Sequence, residues 1–167
     1  MQRLLDLDAR LSKEVRVAER PGTLRRIMAL LAHSGDSWFL VLALIILYFV
    51  GPVEWHSAEV LMVVGIIITA IVVLLIKFAV RRQRPEGEWG GIYRSTDPHS
   101  FPSGHAARVM MLAVLAFGFG AVWLGLAELV WALLVAFARV TMGVHYLSDV
   151  LAGMLLGLLM GVLISSF

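Results

Sequence analysis

The sequence predicts an all-α fold: an integral membrane helical bundle of about five transmembrane helices, preceded by an N-terminal amphipathic helix at the membrane surface. Three observations predict it. Of the 167 residues, 60% are hydrophobic and the mean hydropathy is +0.87, whereas soluble domains run at ~45–50% apolar. The apolar residues form long continuous runs, as in helices solvated by hydrocarbon. The charged residues, 16% of the chain, gather before and between those runs. With no cysteine, disulfides and thiolate metal sites are excluded. The length suits a single membrane domain, with residues 1–33 as interfacial helices and 34–167 as the transmembrane bundle. Residues 1–20 are charged throughout, unlike a cleavable signal peptide.

Leu4, Leu5, Leu7, Leu11, Val15 and Ala18 recur at roughly helical spacing among Arg3, Asp6, Asp8, Arg10, Lys13, Glu14 and Arg16. Such a helix is too charged to span a membrane; it lies in the interface or caps the bundle end. Pro21-Gly22 breaks it, and Thr23 caps a short helix through about residue 33. Ser34-Gly35-Asp36 interrupts the chain again. The first span covers about 37–51, short for a ~30 Å hydrocarbon core, so it would have to extend back toward Leu24. A tight loop follows at 51–56. The second span covers 57–82, with Lys77 near its exit. Residues 83–101 are the longest polar segment. The third, fourth and fifth spans cover about 104–120, 122–142 and 146–165. In the fifth, Gly153, Gly157 and Gly161 stand four apart. Small residues at that spacing let two helices approach closely, within the bundle or, alternatively, across a homodimer seam.

Three polar blocks abut these spans, and fixed charge beside hydrocarbon is costly and marks function. Lys77 and Arg84 are two helical turns apart, on one face. Pro85 disfavours helix at Arg84, so Arg84 opens the loop and reaches back. A Lys point charge and a planar Arg fork converging on one place suit a phosphate. The second block is Ser100-Phe101-Pro102-Ser103-Gly104-His105, at the mouth of the third span. Gly104 allows close backbone approach, and the N–H groups of Ser103, Gly104 and His105 at a helix start make an anion site. Ser103 adds a hydroxyl and His105 a titratable proton. The third block is Arg139, His145 and Asp149. On a straight helix His145 would lie opposite Arg139, so Gly143 ends the fourth helix between them. Asp149, four residues after His145, is placed to accept a hydrogen bond from one imidazole nitrogen, leaving the other free as a nucleophile.

In this order, Lys-x6-Arg-Pro, Pro-Ser-Gly-His and Arg-x5-His-x3-Asp resemble the motifs of the type 2 phosphatidic acid phosphatase family, which includes bacterial membrane lipid phosphatases. The resemblance covers roughly the second half of the chain; the first 55 residues carry none of it. At one position, Ala138, the family usually has Ser, so one hydroxyl is missing, for which the backbone or Ser100 would have to substitute. The resemblance implies a metal-independent phosphatase without cofactors, integral to the inner membrane of a bacterium. It implies that His145 attacks phosphorus and forms a phosphohistidine, that Asp149 holds its tautomer, and that His105 protonates the leaving alkoxide and then activates water. Lys77, Arg84, Ser103, Gly104 and Arg139 would hold the phosphoryl oxygens.

The implied partners are the bilayer and a lipid phosphate, with no nucleic acid. The lipid would carry a headgroup phosphomonoester, as in phosphatidylglycerophosphate or phosphatidate. A polyprenyl (undecaprenyl) diphosphate or a prenyl-phosphate sugar phosphate is the alternative. Intact His105, His145 and Asp149 argue against a non-catalytic membrane protein of the same fold. Arg108, one turn after His105, and His99 are candidate headgroup contacts; Asp97 shares the loop. Arg81 and Arg82 read as a basic helix end at the lipid headgroups. Glu128, inside the fourth span, calls for a polar partner or a place near the interface.

The charge distribution predicts an orientation. Seven basic residues precede the first span and seven more lie at the motif end, accounting for all fourteen Lys and Arg. Five spans put both groups on one side, so the positive-inside rule places the active site on the cytoplasmic face. A single Cys at Glu88 should therefore resist a membrane-impermeant maleimide in intact cells, while one at Ser166 reacts. The reverse labelling would invert the topology.

Overall fold

The computed structural model describes residues 2–87, 89–91 and 97–166; Glu88 and Arg94 lie outside the described residues. The helices are α1 (Gln2–Glu14), α2 (Thr23–Ser34), α3 (Ser37–Val50), α4 (His56–Val80), α5 (Gly104–Gly118), α6 (Val122–Thr141) and α7 (Leu147–Ile164). The described residues contain no strand, only an isolated bridge between Gln83 and His99 at the base of the polar loop. The apolar helices α3 to α7 fall within a few residues of the five predicted spans.

Their lengths differ from expectation. The helices ending in α4, α6 and α7 are long and apolar enough to cross a membrane, and α2 with α3 would make a fourth span bent by 64°. The straight extension of α3 toward Leu24 is not formed, because the chain breaks at Gly35 and Asp36. Helix α5 has 15 residues, about 22 Å at 1.5 Å per residue. By length and composition three helices, or four with the bent pair, can each cross a membrane, and α5 is the shorter fifth apolar helix of the bundle. Helix α5 can be short because protein surrounds it: Ala106, Ala107, Val109, Met111 and Leu115 are all fully buried.

Close packing of α5 on α7 comes from the glycine row. A Cβ at Gly153 would overlap the Ser103 carbonyl, one at Gly157 would overlap the Ala107 carbonyl, and one at Gly161 would sit 2.6 Å from Val114 Cβ. The glycine face is thus filled by α5, the within-bundle contact that was one of the two readings of this row. On its other side α5 meets α6 through Val109, Ala132 and Val135, and through Ala106, Ala136 and Val140. A further core joins α3, α4, α5 and α7 through Leu44, Ile66, Met111, Leu115 and Ile164. Outward-facing side chains such as Phe49, Leu75, Trp123 and Val162 are apolar and exposed, as a lipid-facing surface requires.

Helix α2 does not stand apart from the bundle. It packs on α6, with Ala32 against Ala138 and Met142. Nor does Thr23 cap it: Thr23 is its first residue, Gly22 holds the cap position, and no side-chain cap bond forms. Helix α1 keeps its amphipathic character but turns its leucines away from the protein, Leu4 being 71% exposed. Its inward residues are Asp8 and Ser12, which accept hydrogen bonds from Ser148 N (3.0 Å) and Leu147 N (2.9 Å). These are orphan donors of the first turn of α7.

Substituting Gly157 by Ala should lower the thermal midpoint of the detergent-solubilised protein, at a cost of about 1–3 kcal/mol for overpacking. Gly91→Ala, where a Cβ meets nothing within 4 Å, should leave it unchanged. An unchanged midpoint for Gly157→Ala would contradict the α5–α7 contact.

Candidate active site

The C-terminal ends of α4 and α6 and the N-terminal ends of α5 and α7 meet at one end of the bundle. Helix α4 stops at Val80, two residues earlier than predicted, because Arg81 adopts a left-handed conformation (φ 53°). The chain then turns so that Arg84, from the loop rather than the helix, comes back beside Lys77. The two cations converge on one atom, Asp97 Oδ2: Lys77 Nζ donates to it, and Arg84 Nη2 donates at 2.7 Å. Arg84 also donates to the Asp97 and Val144 carbonyls, at 2.7 and 2.8 Å. Both cations are buried, while the Asp97 side chain is 39% exposed.

At the start of α5 the predicted donor set is reduced by one. Ser103 N–H is taken by the Asp149 carbonyl at 2.9 Å, leaving those of Gly104 and His105. Ser103 Oγ is buried with no hydrogen-bond partner. Gly104 is needed for close approach: a Cβ there would lie 3.0 Å from Arg108 Nη1 and 3.3 Å from Val73 Cγ1. The Arg108 guanidinium therefore folds back over the first turn of its own helix. It is buried, its Nε has no partner, and it makes no salt bridge among the described residues.

His105 and Asp36 form a pair absent from the sequence reading. His105 Nε2 lies 2.5 Å from Asp36 Oδ1, and His33 Nδ1 lies 3.2 Å from Asp36 Oδ2. Asp36 stands in the break that ends α2.

Helix α6 delivers Arg139, which is fully buried and donates to the Ala32 carbonyl at 3.3 Å. The methyl of Ala138 packs with Ala18, Ala32 and Met142, so Ala at this position belongs to the α2–α6 contact. Ser100 does not supply the missing hydroxyl, because its Oγ donates to the Gln83 carbonyl at 3.1 Å. Gly143, with φ 66°, ends α6 as predicted and turns the chain toward His145. A side chain at Gly143 would also strike Arg16, 2.7 Å from its Nε.

His145 is buried among the cations. Its Nε2 faces Arg84 Nη1 at 3.4 Å. A guanidinium only donates, so Nε2 presents its lone pair and the proton sits on Nδ1. Burial, then the charges of Arg139, Arg84 and Lys77, hold the His145 pKa well below its usual value, so the ring is neutral at neutral pH. Nδ1 lies 3.7 Å from Asp149 Oδ2, beyond hydrogen-bond range. The direct bond expected from the i, i+4 spacing is therefore not made. Asp149 is committed elsewhere: Oδ2 accepts from Tyr146 N at 2.9 Å, capping α7, and Oδ1 accepts from Arg82 Nη1 at 2.7 Å.

Of the predicted site residues, Lys77, Arg84, Ser103, Gly104, His105, Arg108, Arg139, His145 and Asp149 come together. His99 does not join them; its ring stacks edge-on against Phe78, centroids 5.6 Å apart. Arg81 behaves as a helix end, donating to the Phe78 carbonyl at 2.9 Å, whereas Arg82 turns inward to Asp149. Asp36, Arg82 and the bridging role of Asp97 escaped the sequence reading; only the repeated cations of Arg81-Arg82-Gln83-Arg84 hinted at one of them. Glu128 Oε2 has no hydrogen-bond partner among the described residues. The atom is buried and, with Glu59, Glu128 lines an otherwise apolar cavity of about 700 Å³ that none of these cations reaches.

Comparison with known proteins agrees with this arrangement. The PAP2 superfamily model matches residues 58–167. The undecaprenyl-diphosphatase of Sulfolobus acidocaldarius is 30% identical over 141 residues, 81% of this chain and 66% of that protein. The decaprenylphosphoryl-5-phosphoribose phosphatase of Mycobacterium tuberculosis is 31% identical over 166 residues, 90% of this chain and 83% of that protein. The crystal structure of a transmembrane PAP2 type phosphatidylglycerolphosphate phosphatase from Bacillus subtilis matches the whole chain and 87% of its own, with TM-score 0.80 and 26% identity. Aquifex aeolicus LpxE, at TM-score 0.77 and 22% identity over 96% of both chains, shares the fold. With a family match running from α4 to the last residue and spanning all three motif blocks, this chain belongs to the PAP2 superfamily, as a membrane phosphatase.

Proposed function

We propose that the chain hydrolyses the terminal phosphate of a membrane lipid through a phosphohistidine intermediate. One observation carries this reading: Lys77 and Arg84 grip a single carboxylate oxygen beside the lone pair of His145, while buried Arg108 has no carboxylate partner among the described residues. Buried cations need a counter-charge, and a phosphate dianion supplies it with the geometry that a guanidinium fork prefers.

In the proposed reaction the phosphate takes the place of the Asp97 carboxylate. Its oxygens are held by Lys77, Arg84, Arg108, Arg139, Ser103 Oγ and the N–H groups that open α5. His145 Nε2 attacks phosphorus in line with the ester oxygen; the N–P bond forms as the P–O bond breaks. His105, anchored through Nε2–H on Asp36 and protonated also at Nδ1 when the phosphate dianion is bound, delivers the Nδ1 proton to the leaving alkoxide. It then takes a proton from water, which attacks the phosphohistidine, frees His145 and releases phosphate. Asp149 stands behind Nδ1 of His145 and balances the charge that develops on the ring. The fixed cations act as preorganised transition-state stabilisers, so the reaction needs no metal.

A headgroup monoester such as phosphatidylglycerophosphate or phosphatidate fits this site, and the proposed cytoplasmic orientation favours lipids of the inner leaflet. The second reading, a polyprenyl diphosphate or prenyl-phosphate sugar phosphate, is favoured by the names of two relatives at least 30% identical, the Sulfolobus and Mycobacterium enzymes.

A phosphate-release assay across phosphatidylglycerophosphate, phosphatidate and undecaprenyl diphosphate, with purified protein in detergent, decides between the two. His145→Ala should reduce release to background on every lipid, and EDTA should leave the wild type unaffected. Full activity in His145→Ala would refute the mechanism.

Asp97→Ala should empty the seat between Lys77 and Arg84. Orthovanadate and inorganic phosphate should then inhibit at roughly three- to tenfold lower concentration, the ~1 kcal/mol that a partly exposed ion pair contributes. Unchanged or weaker inhibition would mean that Asp97 does not compete with phosphate.

A further inference from the structure

Helix α1 is joined to the catalytic end by one continuous chain of hydrogen bonds. Asp8 Oδ1 accepts from Ser148 N at 3.0 Å, and Asp8 Oδ2 accepts from Ser148 Oγ and, at 2.7 Å, from Arg82 Nη2. The other arm of the same guanidinium, Nη1, donates to Asp149 Oδ1 at 2.7 Å and to Ser148 Oγ at 2.6 Å. The plane of Arg82 lies over the Tyr146 ring, 4.1 Å from its centroid. Arg82 is thus a planar clamp stretched between two carboxylates, one on α1 and one beside His145.

An amphipathic helix serving only as a cap on the bundle end would pack its apolar stripe on the protein. Helix α1 does the reverse. Leu4, Leu7 and Leu11 face outward, 71%, 50% and 41% exposed, and the residues aimed inward are Asp8 and Ser12. The Asp8 side chain is 12% exposed, Arg82 18% and Asp149 0%, so the clamp is largely shielded from water, where each bond is strong and a lost partner is costly. Without Asp8, Arg82 would be free to leave the plane that holds Asp149. Asp149 would then lose the charged partner on Oδ1 that fixes its position behind His145. Displacement of about 1 Å in such a group costs about a hundredfold in rate.

We propose that Asp8 is a positioning residue for the reaction: acting through Arg82 it fixes Asp149 behind His145, which makes the membrane-surface helix α1 part of the catalytic assembly. The inference rests on the phosphohistidine reading, in which His145 and Asp149 act together. Its test is steady-state kinetics of the purified full chain on phosphatidate in mixed micelles.

Asp8→Asn keeps an acceptor for Ser148 N–H but removes the charge that holds Arg82. It should lower kcat ten- to hundredfold with KM within twofold, because Asp8 does not touch substrate. Asp8→Glu should recover most of kcat. Arg82→Gln should lose as much as Asp8→Asn, and the double variant should be no worse than either single one, as expected for residues acting through one contact. Ser12→Ala cuts the other tie of α1, to Leu147 N–H, without touching Arg82, and should leave kcat near wild type.

Wild-type kcat in Asp8→Asn, an equal loss in Ser12→Ala, or a raised KM with unchanged kcat would each overturn the proposal. If Asp8→Asn does not fold, Arg82→Lys decides the same question: it keeps the charge and loses the fork, and undiminished kcat would overturn the proposal. His145→Ala runs alongside. If it still turns over, the catalytic reading itself has failed; if it is inactive while Asp8→Asn is fully active, only the role of Asp8 has.

Discussion

Four buried cations at one end of an apolar bundle set the terms for the rest of this structure. Lys77, Arg84, Arg108 and Arg139 are at most 8% exposed, and removing an ion from water costs several kcal/mol even after relaxation. The fold compensates only in part. Asp97 serves two of these cations, the carbonyls of Val144 and Ala32 serve Arg84 and Arg139, and Arg108 is left without a carboxylate among the described residues. In the proposed reaction the missing charge arrives with the substrate. The affinity for phosphate and the instability of the empty site are then two expressions of the same imbalance.

Bringing those cations together requires four helix ends to meet closely, and the glycine row of α7 makes that contact possible. It brings the backbone of α5 so near that Ser103 N–H reaches the Asp149 carbonyl. The phosphate-facing start of α5 and the carboxylate behind His145 are therefore locked in register by a main-chain bond. The left-handed Arg81 and the positive φ of Gly143 do the same for α4 and α6: each stops a helix where continuing it would carry a functional side chain away.

Much of this was legible in the sequence. Hydrophobic runs located α3 to α7 within a few residues, the spacing of Lys77 and Arg84 forecast their convergence, and the resemblance of the motif blocks implied that Arg139 and His145 join them. Contacts between residues far apart in the chain were not legible. His105 and Asp36 are 69 residues apart, and Arg82 and Asp8 are 74 apart. No local periodicity links them. The pairing of His145 with Asp149 was inferred from an i, i+4 spacing that does bring them near. The carboxylate, however, is claimed first by the cap of α7 and by Arg82, and its stand-off of 3.7 Å follows from that competition. The same runs placed α5 to within two residues but were silent on its surroundings: hydropathy reports that a helix avoids water, not whether lipid or protein surrounds it.

The two histidines are consequently held in opposite ways, and the difference matches the division of labour proposed for them. His105 turns Nε2 to a carboxylate at hydrogen-bond distance, so its tautomer is fixed and Nδ1 is the nitrogen left to exchange a proton. His145 has a carboxylate only at longer range on its Nδ1 side and donors of positive charge on its Nε2 side. Those charges disfavour protonation and keep Nε2 a lone-pair nucleophile, while Asp149 stays close enough to stabilise the ring once it carries the phosphoryl group. In the proposed reaction one end of a helical bundle thus supplies an imidazole tied to a carboxylate for proton transfer and another turned toward guanidinium donors for attack.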